Sequence, residues 1–188
     1  MVDERTSLVE LATIVSEALE KAGITAALSG GGAVSIYSEN RYQSEDLDFV
    51  TAALNDELKS VLEPLGFAHT GQPRLSVFDH PKTRWYLEFP SAPLSFGGTY
   101  IDPSHCARIK TRLGYLRIIT PTHCVMDRLI AAVAWNEPQS LEQALLVTQS
   151  CSERIDWQAL DEWVIRERIQ DSKEIVEYYE KVNRDCPI

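Results

Sequence analysis

The chain has 188 residues, 44% of them hydrophobic and 24% charged, with a formal net charge of -10. That length and balance fit a soluble domain, or a core with a helical appendage, able to bury a sizeable core. The acidic surplus argues against generic nucleic-acid binding while leaving room for a local basic strip, and no apolar run reaches the roughly 18 residues of a membrane span.

The opening, MVDERTSLVE, is acidic and polar, unlike a secretory signal. Leu8, Leu11, Ala12, Val15, Ala18 and Leu19 follow at helical spacing, with Ser7 and Glu10 as a capping box and Gly23 as a stop. The pattern predicts a helix over 7–22, then a short buried strand from Ile24 to Ser29. Ser29, Gly30, Gly31 and Gly32 come next, just before a short helix carrying Ala33, Ile36 and Tyr37. Glycines let the backbone approach phosphate oxygens, and helix N-termini favour anions, so the run reads as a phosphate-accommodating turn. It is neither GxxxxGK[ST] nor GxGxxG. Arg41 and Ser44, on the connection into the next strand, are candidates for contacting phosphates or for ordering that loop.

The next strand carries Asp46 and Asp48, two residues apart and therefore on one face. Two anions so placed repel unless a cation sits between them, and a hard divalent ion is the usual solution. Asn55 is placed to cap a helix with Leu58, Val61, Leu62 and Leu65 on it, closed by Gly66. A strand-rich region follows, broken at Gln72-Pro73 and His80-Pro81, with Leu75, Val77 and Phe78 in one run. The segment RWYLEF alternates, with Trp85, Leu87 and Phe89 on one face and Arg84, Tyr86 and Glu88 on the other. If that strand lies beside the aspartate strand, Glu88 joins Asp46 and Asp48, and three carboxylates can hold one or two metals; Asp79 and Asp102 are rivals for the third place.

Strands over 106–112 and 115–119 form a hairpin at Gly114, and Arg108, Lys110 and Arg112 give its first strand a basic face. That face suits a triphosphate or an RNA acceptor, or simply a charged edge strand that resists pairing. From Pro121 the period is helical, in four stripes, the last carrying Ile175, Val176, Tyr179 and Val182, with Trp135, Trp157 and Trp163 as core or interhelical anchors and Asp127-Arg128 as an internal ion pair or a pair facing the cleft. His105-Cys106 and His123-Cys124 read as half-buried structural residues. The four cysteines, Cys106, Cys124, Cys151 and Cys186, form no CxxC pair, which suits a reduced, cytoplasmic protein. The expected class is α/β (α+β): a small mixed-sheet core over 1–119 flanked by helices, with a helical C-terminal portion, 120–188, packed on it.

The string GGGAVSIYSENRYQSEDLDF resembles the signature of the nucleotidyltransferase superfamily, the polymerase-β-like fold. Its GG…Ala…Tyr…Arg…Ser…Asp-Leu-Asp form is most similar to bacterial nucleotidyltransferase-like proteins related to abortive-infection toxins. The segment TPTHCVMDRLIAAVAWNEPQSLEQALLV resembles the helical region of members of that group. The resemblance implies a minimal sheet with helices, Mg²⁺ (or Mn²⁺) at Asp46, Asp48 and Glu88, and NTP phosphates at Ser29, Gly30 and Gly31. It implies transfer of a nucleotidyl group from an NTP to a hydroxyl of a small molecule, a protein or a tRNA end. The alternative is a catalytically silent nucleotide-binding or regulatory module, one half of a toxin–antitoxin pair with a small partner protein.

Overall fold

The computed structural model describes residues 2–71, 76–135 and 137–185. The chain divides into two compact units, one built from Met1–Ala33, Ser44–Leu94 and Ile101–Ile119, the other from Val34–Gln43, Ser95–Tyr100 and Thr120–Ile188.

The first unit begins with helix α1 (Leu8–Lys21), whose capping box is formed: Glu10 N–H donates to Ser7 Oγ and the Glu10 carboxylate accepts the Ser7 N–H at 3.0 Å. Its buried stripe of Leu8, Leu11, Val15 and Leu19 lies on the sheet. Strand β1 (Ala26–Ser29) follows, then helix α2 (Gly30–Tyr37), which passes into the second unit, and strand β2 (Asp46–Thr51). Helix α3 (Asn55–Leu62), β3 (Ala68–His69), β4 (Val77–Asp79) and β5 (Tyr86–Glu88) come next. The chain then makes a separate two-stranded sheet of β6 (Leu94–Phe96) and β7 (Thr99–Ile101), of which Ser95–Tyr100 belong to the second unit, and returns to the first as β8 (Ala107–Lys110) and β9 (Tyr115–Ile118).

Seven strands form one mixed sheet in the order β3-β4-β5-β2-β1-β9-β8. β2 lies at its centre, antiparallel to β1 and parallel to β5. β1 has no room for polar side chains other than its terminal Ser29; Ala27 and Leu28 are fully buried, as are Leu47 and Phe49 of β2. Strand β8 lies at a sheet edge; its Arg108 pairs with Glu20 at 3.1 Å, while Arg112, expected on this strand, lies beyond its end at Lys110 and pairs with Glu10.

The second unit holds α4 (Pro121–Trp135), α5 (Pro138–Cys151), α6 (Trp157–Glu167) and α7 (Lys173–Asp185). Trp163 is fully buried, and its indole N–H donates to the Phe96 carbonyl at 3.0 Å. Thr148 and Tyr178, also buried, share a 2.7 Å hydrogen bond between α5 and α7. Asp127 and Arg128 form an ion pair of 2.7 Å.

Four details differ from the reading of the sequence. The glycine run lies within α2 instead of preceding it. Glycine costs a helix about 1 kcal/mol relative to alanine, but here close packing decides: a Cβ on Gly32 would come within 2.8 Å of Leu47 Cδ2 and 3.2 Å of Leu28 Cδ1. Leu54, not Asn55, stands at the cap of α3; the Leu54 N–H donates to the Glu57 carboxylate at 2.7 Å, while the Asn55 side chain accepts from Ser76. Trp135 is 75% exposed instead of anchoring helices, because it ends α4 beyond the last buried position, Ala132. In α7 the buried stripe is Ile175, Tyr178 and Val182, and Val176 faces solvent. The Gln72-Pro73 break, Leu75 and Cys186 lie outside the described residues.

The packing around Gly32 gives a direct test. Gly32→Val should lower stability by about 3 kcal/mol, since Leu28 and Leu47 are already fully buried and extra methyls must displace them. Urea unfolding should show a lower midpoint at unchanged slope.

Candidate active site

Asp46 opens β2 and Asp48 follows on the same face, both half-buried. The parallel pairing of β2 with β5 sets Asp46 opposite Tyr86 and Asp48 opposite Glu88. One carboxylate oxygen from each of Asp46, Asp48 and Glu88 lies within 4.8 Å of the others. The sheet therefore brings together the three carboxylates that the alternation patterns put on polar strand faces. Of the rivals, Asp79 is exposed on β4, and Asp102 caps a short 3-10 turn, accepting the Ser104 N–H at 2.8 Å.

On the other side of β2, Ser29 stands opposite Asp48, and its hydroxyl donates to the Asp48 carbonyl at 3.4 Å. Gly30 has φ +58°, a conformation that L side chains rarely adopt. A Cβ there would also overlap the Asp48 carboxylate. Glycine at this position is thus required twice, by the backbone and by the room Asp48 occupies. Gly31 follows in the first turn of α2.

Ser44 and Arg41 occupy different surroundings. The Ser44 hydroxyl donates to Asp46 Oδ1 at 2.6 Å, which attaches it to the carboxylate cluster. Arg41 lies in the second unit. Its guanidinium donates to Gln149 Oε1 at 3.1 Å, to the Leu146 carbonyl at 3.0 Å and to Ser150 Oγ, all on α5. The two residues just before it, Glu39 and Asn40, have φ of 54° and 63°, so this turn departs from ordinary backbone geometry.

Electrostatics follow from crowding. Burial and the Asp46 charge raise the Glu88 pKa above the ordinary carboxylate value. Burial, then the charges of Asp46, Glu88, Asp48 and Glu45, push the Tyr86 phenol upward as well, so it remains protonated across neutral pH. Three converging hard oxygen ligands are a donor set that fits a hard divalent cation. Tyr86 could have been placed at this cluster from the sequence, since it shares the polar face of RWYLEF with Glu88. Trp85 could not: its indole N–H donates to the Ser44 carbonyl at 3.1 Å across 41 residues of chain, which no local pattern announces.

No family model matches this chain, and neither does any curated protein. Solved structures do. A crystal structure of ANT(2'')-Ia in complex with adenylyl-2''-tobramycin superposes with a TM-score of 0.55 at 13% identity, covering 87% of this chain and 97% of that one. A solution structure of ANT(2'')-Ia, described as an antibiotic-resistance factor, gives 0.54 at 14% identity, covering 94% and 97%. An antigenic nucleotidyltransferase-like protein from Paracoccidioides brasiliensis gives 0.57 at 14% identity, covering 96% and 88%. The architecture is a nucleotidyltransferase-like α/β fold with a mixed sheet.

Glu88 titration offers a check on the cluster without any substrate. A carboxylate whose pKa is raised by folding stabilises the protein below its unfolded value, and that contribution is lost as pH rises through the folded one. In metal-free protein Glu88→Gln should therefore raise Tm at pH 7–8. The gain should vanish at about pH 4, where the unfolded carboxylate is itself half-protonated.

Proposed function

We propose that this protein transfers a nucleotidyl group from a nucleoside triphosphate to a hydroxyl acceptor. The observation that carries the proposal is the convergence of Asp46, Asp48 and Glu88 beside the glycine turn at Gly30. The acceptor oxygen attacks the α-phosphorus, the bond to the β-phosphate bridge breaks, and pyrophosphate leaves. Asp46, Asp48 and Glu88 hold Mg²⁺ or Mn²⁺, which neutralises charge on the transferring phosphate and on the leaving group. Ser29, Gly30 and Gly31 seat the phosphates: the missing side chains admit phosphate oxygens to the backbone at the start of α2. Glu88 completes the carboxylate set or takes the acceptor's proton as general base. Arg41, fastened to α5, orders the loop that precedes β2.

The acceptor we favour is a small molecule. The net charge of -10 disfavours an RNA end, and the Arg108 and Arg112 charges of the basic strip are already paired with Glu20 and Glu10. A cytoplasmic setting, where triphosphates are abundant and thiols stay reduced, agrees with free, buried Cys106, Cys124 and Cys151.

Incubation with α-labelled NTPs, Mg²⁺ and either a small-metabolite pool or tRNA tests the reading. Label should pass to a small acceptor. Asp46→Asn and Asp48→Asn should each reduce transfer about 100-fold or more, the effect of losing several kcal/mol of charge stabilisation. Transfer at the native rate by the double variant would sink the assignment. NTP binding with no turnover on any acceptor would instead make the chain a silent nucleotide-binding module, of the kind found in a toxin–antitoxin pair.

A further inference from the structure

We infer that Ser44 and Trp85 form a positioning pair that fixes the Asp46 carboxylate for cation binding; the inference rests on the transfer reading above. Ser44 precedes β2 and is 4% exposed, so its hydroxyl is committed to the protein interior. It donates to Asp46 Oδ1 at 2.6 Å, a short bond of the charge-assisted kind. The chain bends at Glu45, between Ser44 and the start of β2, and the Ser44 hydroxyl reaches Asp46 across that bend.

A serine hydroxyl can only orient a carboxylate if its own backbone is held. That hold comes from Trp85, the residue just before β5, the strand of Glu88. The Trp85 indole N–H donates to the Ser44 carbonyl at 3.1 Å. Trp85 is in turn fastened locally: its backbone N–H donates to Thr83 Oγ1 at 2.9 Å, and the Arg84 guanidinium covers its ring at 4.8 Å. The two strands that supply the carboxylates are therefore tied together once by their ladder and once by this side-chain bridge just ahead of Asp46 and Tyr86.

The bridge acts on geometry. With Oδ1 engaged by Ser44, the Asp46 carboxylate cannot swing freely under repulsion from Asp48 and Glu88, so it meets a cation with its orientation already set. Partners of this kind around metal-ligating groups are worth about 10–100-fold in metal affinity. Ser44 and Trp85 touch neither phosphate nor cation in this assignment. They act through Asp46.

Mn²⁺ binding to the nucleotide-free protein, followed by the loss of the free-ion EPR signal, tests the pair. Ser44→Ala should weaken Mn²⁺ binding about 10-fold, Ser44→Thr should retain it, and Trp85→Phe should fall between, with the metal-free Tm of all three close to that of the parent. Parent-like Mn²⁺ affinity in both Ser44→Ala and Trp85→Phe would overturn the inference while leaving the carboxylate site intact. Equal weakening by Ser44→Thr and Ser44→Ala would also overturn it, since the hydroxyl would then carry nothing. Failure of the parent protein itself to bind Mn²⁺ would overturn the metal-site reading on which the inference stands.

Discussion

Three carboxylates held within 4.8 Å repel one another, and the centre of the sheet exists in spite of that repulsion. Asp46 and Asp48 cannot separate, because they alternate on one strand with Leu47 between them, fully buried on the opposite face. Glu88 cannot retreat, because β5 is locked in parallel register against β2 and carries its own buried Leu87. The hydrophobic side of each strand thus forces the polar side into contact. Burial first, and the neighbouring charges second, raise the proton affinity of Glu88 and of the Tyr86 phenol.

The neighbouring elements serve the same arrangement. β1 binds the other edge of β2 and delivers Ser29 opposite Asp48, and the chain then turns at once into α2 through a glycine that only a bare backbone can supply. Gly32, two residues on, lets the start of that helix settle against Leu28 and Leu47. Gly30 leaves the space that the Asp48 carboxylate takes up. Burial on one face and charge on the other are two results of one register.

Much of this was legible in the sequence because it is local. The i, i+2 relation of Asp46 and Asp48, the glycines ahead of Ala33 and Tyr37, and the alternation of RWYLEF all follow from the geometry of a single strand or turn. The pairing of β5 with β2 is different in kind. It joins segments about forty residues apart, and sequence patterns could state it only as a condition. The glycine run reads as a turn by propensity; that it is helical depends on Leu28 and Leu47, which no propensity scale includes. Trp135 shares helical spacing with its neighbours yet projects past the end of its packed stripe, because periodicity carries no information on where a partner stops. The link from Trp85 to Ser44 needs a side chain to find a particular carbonyl, and nothing in composition marks it.

Gly30 and Asp48 occupy one volume, and that has a consequence for descent. A side chain at residue 30 would force the Asp48 carboxylate to shift, so the two positions are coupled. While the carboxylate keeps its orientation, selection must hold the glycine. Once the carboxylate is lost to a smaller residue, the space opens and position 30 is released from half of its restriction. A homologue with a bulkier residue at position 30 that keeps the residue-48 carboxylate would therefore have to hold it in a different orientation.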